Sequence, residues 1–516
     1  MEVPVLWFTV VAPTLIAILF QATVLGSLGP RVLAYVSSAI LAIPLALLAY
    51  KWLGGYSTLI DPLKLDLSQY NVGVIALVVD GLSAPLVAGV SLVTSLVAIY
   101  SLKYMEHRIE ELEHGGLRVP GIYAYYILYN AFSSSMLGML YSTNLIAFFV
   151  FLELSLITSF LLIAYYGYGE RLRIALMYFV WTHIGGALFL AGILFYGVNA
   201  GTFDILIVKQ WALEYSKVYA GVKVEGLAMI APLLIILGLL VKMAVFGVHM
   251  WLPYAHAEAP TPVSALLSPN LIGIAGYALA RFGLTLFPGF MELAKHYLVL
   301  VAFITIIYGG LVALRQDDFK RFLAYSSISQ MGYILLGVST LTTFGVAGAM
   351  LHYLSHAVGK AVLFMISGVF IAEVRGLRSM GSMGGLARLY PTTAAMALIG
   401  FMHLVGMPPA FGMWSELLIL LGVSEAYYPG SPYEISLVAV AVIASFIVTA
   451  FYSFIAMRRI FFGKPRRESP LEVMDEFKVS ILIIALAGII LFLAIGLMIP
   501  QLRDSSLELL ALGGLG

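Results

Sequence analysis

The sequence predicts an all-α integral membrane protein with about fourteen transmembrane helices, and three observations predict it. Mean hydropathy is +1.00, with 61% hydrophobic and only 11% charged residues, too little polar surface to coat a soluble globule of 516 residues. Apolar runs of the roughly 20 residues needed to span a bilayer recur along the whole chain. Most of the 28 lysines and arginines fall in alternate loops between those runs.

Taken in order, the apolar runs begin near residues 5, 32, 74, 122, 144, 172, 228, 261, 297, 322, 343, 392, 433 and 480. The first lacks a basic leader and a small-residue cleavage site, so it reads as a retained span. The longest interruptions are residues 102–121, 198–227 and 460–478. The first reads as a short surface helix and the last, running from KPRRE to MDEFK, as a solvated or docking surface. Arg171, Arg173, Lys320, Arg321, Arg375, Arg378, Arg458, Arg459, Arg466 and Arg467 belong to the odd-numbered loops. The positive-inside rule then makes those loops cytoplasmic and leaves both termini outside. No composition shift marks a separate soluble domain.

Several chemistries are excluded. The chain contains no cysteine, so thiolate-bound iron–sulfur clusters and cysteine-bound zinc are ruled out within it, and any redox centre belongs to a partner. No GxxxxGK[ST] loop is present to cradle a nucleotide phosphate. The expectation is therefore no cofactor and no metal in this chain. The net charge of +1 does not itself point to a class of partner.

Function rests on the few ionisable groups left inside apolar segments, where each costs roughly 2.5–3.5 kcal/mol on insertion scales. Glu153 stands alone in NLIAFFVFLELSLITSFLLI. Lys242 lies deep in LLIILGLLVKMAVFGVHMWLP, where His249 and prolines 253, 260 and 262 predict a break after the lysine. A broken helix frees carbonyls that can solvate a cation or a water chain. In HYLSHAVGKAVLF, His352, His356 and Lys360 follow at steps of four, each advancing about 6 Å along nearly one helix face. Such a line of protonatable nitrogens is what a proton relay across the membrane needs. A metal site at the two histidines is the weaker reading, because no carboxylate lies in the motif. Glu416, in LVGMPPAFGMWSELLILLG, follows Pro408, Pro409 and Gly412 and so lies beside a second break. A charge beside an interrupted span in each half is the pointer to an inverted-repeat transporter.

The chain resembles the antiporter-like subunits of respiratory complex I, membrane-bound [NiFe]-hydrogenase-type complexes and Mrp sodium/proton antiporters. The resemblance is carried by DGLSAPLV from Asp80, the segment around Glu153, VKMAVFGVHMWLPYAHAEAPTPVSALL from Val241, QDDFKRFLAYSSISQMGY from Gln316, HYLSHAVGK from His352 and PPAFGMWSE from Pro408. It implies N-terminal helices over residues 1–121, five-helix inverted repeats over 122–290 and 291–460, and a C-terminal loop and helix over 461–516. It further implies a proton-translocating subunit of a redox-driven complex in the cytoplasmic membrane, with Glu153 and Lys242 as the coupled acid and base. Lys360 would be the central lysine and Glu416 the terminal carrier. His249, His352 and His356 complete the expected proton-translocation set. Sister antiporter-like subunits, redox subunits and the lipid bilayer are the partners implied, and no nucleic acid. An Mrp-type Na⁺/H⁺ antiporter subunit and a stand-alone secondary transporter are the alternatives. A quinone-binding enzyme has only scattered Tyr, His and Trp in its favour.

Four positions depart from the family pattern. Relatives with a terminal glutamate often carry their central lysine where this chain has Gly273. Relatives with the HxxxHxxxK helix usually have histidine at Ser268 and commonly lysine at Glu416. Tyr254 replaces the usual aspartate after WLP.

Overall fold

Within hydrocarbon every backbone N–H and C=O must be satisfied inside the chain, so each apolar run becomes a helix. The computed structural model describes residues 3–208, 210, 227–374, 376–428, 430–466 and 471–512. Its N-terminal helices are α1 (Val5–Ala22), α2 (Pro30–Leu53), α3 (Ala84–His114), α4 (Ile122–Tyr141), α5 (Leu145–Tyr166) and α6 (Arg171–Ala200). Next come α7 (Leu227–Met243), α8 (Trp251–Glu258) and α9, a composite helix over Thr261–Leu286. The remainder are α10 (Pro288–Leu314), α11 (Phe319–Ser339), α12 (Thr343–Glu373), α13 (Pro391–Val405), α14 (Gly412–Tyr427), α15 (Pro432–Phe461), α16 (Glu476–Leu493) and α17 (Ile495–Leu512). Among the described residues, 10 helices are long and apolar enough to cross a membrane.

The order of burial follows from where each helix sits. α12 is enclosed along its whole apolar length, with α3 and α9 almost as deeply buried, and these three form the centre of the protein. α1, α6 and α15 keep most of their apolar surface outward, toward lipid or partner chains. Within α9, two wider turns at Leu267–Leu271 and Leu279–Gly283 interrupt the α geometry. Such turns re-aim backbone carbonyls and recur at functional sites.

Several expectations need correction. The third span starts at Ala84, not near residue 74. The apolar stretch before it forms two short antiparallel pairs, Leu59–Ile60 with Val78–Val79 and Leu65–Asp66 with Val74–Ile75. The turn at Asn71 and Gly73, both at positive φ, reverses the chain there. Residues 102–114 are the last turns of α3 rather than a separate surface helix. The C-terminal region holds two helices, because α16 ends at Leu493 and α17 follows.

Lys320 does not lie in a loop. It is the second residue of α11, and the fold buries it completely. Around it the basic loops converge at one end of the bundle: Arg459 pairs with Asp317 at 2.8 Å and Arg378 with Asp318 at 2.7 Å. Arg375, Arg467 and most of the 198–227 interruption lie outside the described residues.

Candidate functional site

The first half of the site forms where α7 stops. Met243 is its last residue, Ala244 takes φ +55°, a conformation costly for a residue with a Cβ, and the chain runs irregularly to Trp251. Trp251 Nε1 donates to the Val241 carbonyl at 3.1 Å, which also accepts from Ala244 N–H at 3.1 Å, so two donors hold the chain at the break. Phe246 N–H is met by Thr305 Oγ1 at 3.1 Å. The predicted break after Lys242 is therefore present.

Lys242 sits in the last turn of α7, with its side chain 8% exposed. Glu153 of α5 approaches it, with Oε1 3.6 Å from Lys242 Nζ. The other oxygen, Oε2, lies 2.8 Å from His183 Nδ1 of α6. A methyl at Gly186 would collide with Oε1, so the missing side chain makes room for the carboxylate. Ser155, Tyr178, Thr182, Trp251 and Lys242 line a cavity about the size of one water beside the pair. His249 is buried but binds Tyr308 of α10, with Nε2 3.2 Å from the hydroxyl, rather than Lys242.

The second half centres on α12, where His352, His356 and Lys360 are all fully enclosed. His352 Nδ1 lies 3.1 Å from Ser415 Oγ, one residue before Glu416. His356 Nε2 donates to the Ser268 carbonyl at 3.1 Å, at the wide turn of α9. That bond fixes the proton on Nε2 and leaves Nδ1 as an acceptor with no protein partner. Lys360 Nζ donates to the Leu323 carbonyl at 3.0 Å and to Ser326 Oγ, both on α11. The line of three nitrogens expected from the spacing is thus formed, each tied to a different neighbouring helix.

The second break lies between α13 and α14. Gly406 ends α13 at φ +68°, and the Ser355 hydroxyl donates to the His403 carbonyl freed there, at 3.1 Å. Glu416, in the second turn of α14, is 5% exposed. Its carboxylate lies against Gly406, where a side chain would collide with it. Ser268 Oγ pairs with Ser327 Oγ at 2.7 Å.

Of the buried or paired ionisable groups not singled out from the sequence, four stand on helices that carry or adjoin the site. His183 binds Glu153, and His403 pairs Nδ1 with Ser355 Oγ at 3.1 Å. His256 and Lys320 are both fully buried. The signal for three of them was the one used for Glu153, an ionisable group inside an apolar run. Lys320 was hidden by the neighbouring charges of QDDFKR. Among the described residues, no hydrogen bond joins Lys242 directly to α12. His249 Nδ1, both nitrogens of His256, His352 Nε2, His356 Nδ1, His403 Nε2 and Glu416 Oε1 are buried without a hydrogen-bond partner in the protein, and Glu153 Oε1 has only its ion pair with Lys242. Buried polar atoms of this kind are ordinarily met by water.

Comparison with known proteins adds an independent finding. A family model described as NADH:quinone oxidoreductase/Mrp antiporter, transmembrane, matches residues 142–447. A second, the complex I chain 5 N-terminus, matches residues 69–111. The NAD(P)H-quinone oxidoreductase chain 4-2 of Synechocystis is 34% identical over 394 residues, 75% of this chain and 65% of that one. The match thus spans slightly less than two thirds of the cyanobacterial protein. The F(420)H(2) dehydrogenase subunit M of Methanosarcina mazei is 32% identical over 403 residues, 77% of this chain and 74% of its own. Respiratory complex I from Thermus thermophilus with bound NADH contains a chain that superposes with a TM-score of 0.83 at 25% identity. That alignment covers 99% of this chain and 100% of the other.

Proposed function

Because the chain belongs to the NADH:quinone oxidoreductase/Mrp antiporter transmembrane family, we propose that it is the proton-translocating membrane subunit of a complex I-related, redox-driven complex. The observation that carries this reading is the Glu153–Lys242 pair, two charges 3.6 Å apart among apolar helices, continued by a series of buried nitrogens and oxygens that lack protein partners. A structural ion pair explains neither that series nor the breaks beside Lys242 and Glu416.

With α7–α8 and α13–α14 each counted as one broken span, and α17 set apart, the helices of the described residues are consistent with fourteen spans. Residues 122–290 and 291–460 then form the two five-helix inverted repeats, with the basic loops cytoplasmic and both termini outside. Redox subunits and sister antiporter-like subunits would share the complex.

In the resting state Glu153 and Lys242 hold each other charged. When a neighbouring subunit draws Glu153 away, an unpaired ammonium in the membrane interior is expensive, and Lys242 becomes a proton donor. The proton moves toward His356, His352 and Lys360 through bridging water. Glu416, next in the chain to the Ser415 that binds His352, exchanges it with the far side. His249 takes part through its free Nδ1.

The test is proton uptake by membrane vesicles holding the whole complex, driven by NADH or reduced ferredoxin, whichever supports turnover of the unmodified complex. Lys360→Met should abolish uptake at normal assembly. Unchanged uptake would overturn the reading.

A further inference from the structure

Lys320 and His256 belong to neither half of the axis just described, yet both are wholly buried. The Lys320 ammonium donates to the Ala259 carbonyl, left open where α8 ends before Pro260. That single bond leaves two of its three N–H groups unassigned, and the ring of Tyr168 lies 5.7 Å away. The nearby Asp318 is already paired with Arg378 at 2.7 Å, at the bundle end that gathers the basic loops. Glu258, one residue before the carbonyl that Lys320 binds, carries a buried Oε2 with no hydrogen-bond partner. Gly169 leaves room for that carboxyl, since a Cβ there would lie 2.6 Å from Oε2.

His256 lies on the same helix as Glu258, two residues before it, and is wholly buried. Its ring stacks on Phe364 at 5.0 Å, one turn beyond Lys360 on α12. Neither ring nitrogen has a partner, which is rare for a fully buried histidine with a purely structural role. Both Lys320 and Lys360 lie within electrostatic reach of it, as does His356. Lys320, in turn, is within reach of Glu258 and Asp318. Lys360 is bound to Leu323 and Ser326, three and six residues after Lys320 on α11.

The geometry points to a separate proton inlet, running from Glu258 through Lys320 and His256 to Lys360, which loads the central lysine from the basic face without passing through Lys242. The inference rests on the proton-pumping reading above. Each transfer moves one proton and no electrons. The Glu258 carboxyl gives its proton to the Lys320 amine, the resulting ammonium protonates one His256 nitrogen, and the other nitrogen releases a proton to the Lys360 amine. Glu258 is left as carboxylate and is reprotonated from the aqueous face. The stack on Phe364 holds the imidazole plane while its two nitrogens exchange roles.

Redox-driven proton uptake by vesicles holding the intact complex tests this with four variants. Lys320→Arg keeps a cation to cap Ala259 but cannot release a proton. It should assemble normally and lower the protons taken up per electron pair by about tenfold or more. His256→Phe keeps an aromatic ring on Phe364 and removes both nitrogens, and should give a similar loss. Lys360→Met is the reference that tests the pumping reading itself. If Lys360→Met abolishes uptake while Lys320→Arg and His256→Phe match the parent, the inlet is overturned and the pumping reading stands. If Lys360→Met also matches the parent, both fall. Full activity of Lys320→Arg with loss in Lys320→Met would mean that the residue only caps α8, and would likewise overturn the inlet.

Discussion

Tyr353 occupies the space that any side chain at residue 273 would need: its Cε2 lies 2.6 Å from where a Cβ on Gly273 would stand. The tyrosine is fully buried, one residue after His352, and its hydroxyl reaches toward Asn270 Oδ1 at 3.5 Å. The place where the family resemblance would put a central lysine is therefore filled by an aromatic ring from α12. Gly273→Lys should not create a second central lysine but should overpack the core, costing about 1–3 kcal/mol. Thermal unfolding in detergent should show the loss, and Tyr353→Ala in the same chain should recover part of it.

Removal of either partner of the Glu153–Lys242 pair should abolish proton uptake while the complex still assembles. Each single alanine variant leaves a charge without its counter-ion in the membrane, so the double variant should be more stable than either single one but equally inactive. Near-normal pumping by Glu153→Ala or Lys242→Ala would remove the pair from the mechanism. Gly186→Ala should act through the same pair, since the added methyl collides with Glu153 Oε1 and must push the carboxylate away from Lys242.

Glu416 is expected to act as an acid at the end of the path. Glu416→Gln keeps size and hydrogen-bonding capacity and should reduce uptake strongly, whereas Glu416→Asp should retain part of it. Uptake by vesicles at equal assembly separates this from a stabilising role, in which glutamine would serve as well as glutamate.

One pH effect belongs to the loops. Asp317, between α10 and α11, has its carboxyl held below the ordinary value of 3.8 by the Ser379 hydroxyl, and further by Gly381 N–H and Arg459. A carboxylate with a depressed folded value adds stability above the unfolded value and loses it as pH falls through the folded one. Ser379→Ala should thus lower stability at pH 7 by about 0.5 kcal/mol or less, because the 55% exposed side chain is screened by solvent. The difference from the parent should shrink to nothing in acid below the folded value. A Tm gap that stayed constant down to a pH at which Asp317 is fully protonated in the folded protein would rule out this bond as its source.

The sequence by itself determined the membrane class, the helical fold and the principal charges, because each of these follows from local composition. Hydrocarbon admits few backbone solutions, so an apolar run of sufficient length already implies a helix, and an isolated Glu153 or Lys242 within one already implies a function. The four-residue steps from His352 to Lys360 gave their shared face before any packing was known. Tertiary structure decided what those groups meet. That His183 holds the second oxygen of Glu153, that Tyr353 fills the place of a lysine and that Lys320 turns inward beneath Ala259 all depend on contacts between segments distant in sequence. The same holds for the strands before α3, where an apolar stretch long enough to suggest a span pairs with a partner some twenty residues earlier instead. Hydropathy records how strongly a residue avoids water, but not which neighbour takes water's place, and at this site the neighbour sets the chemistry.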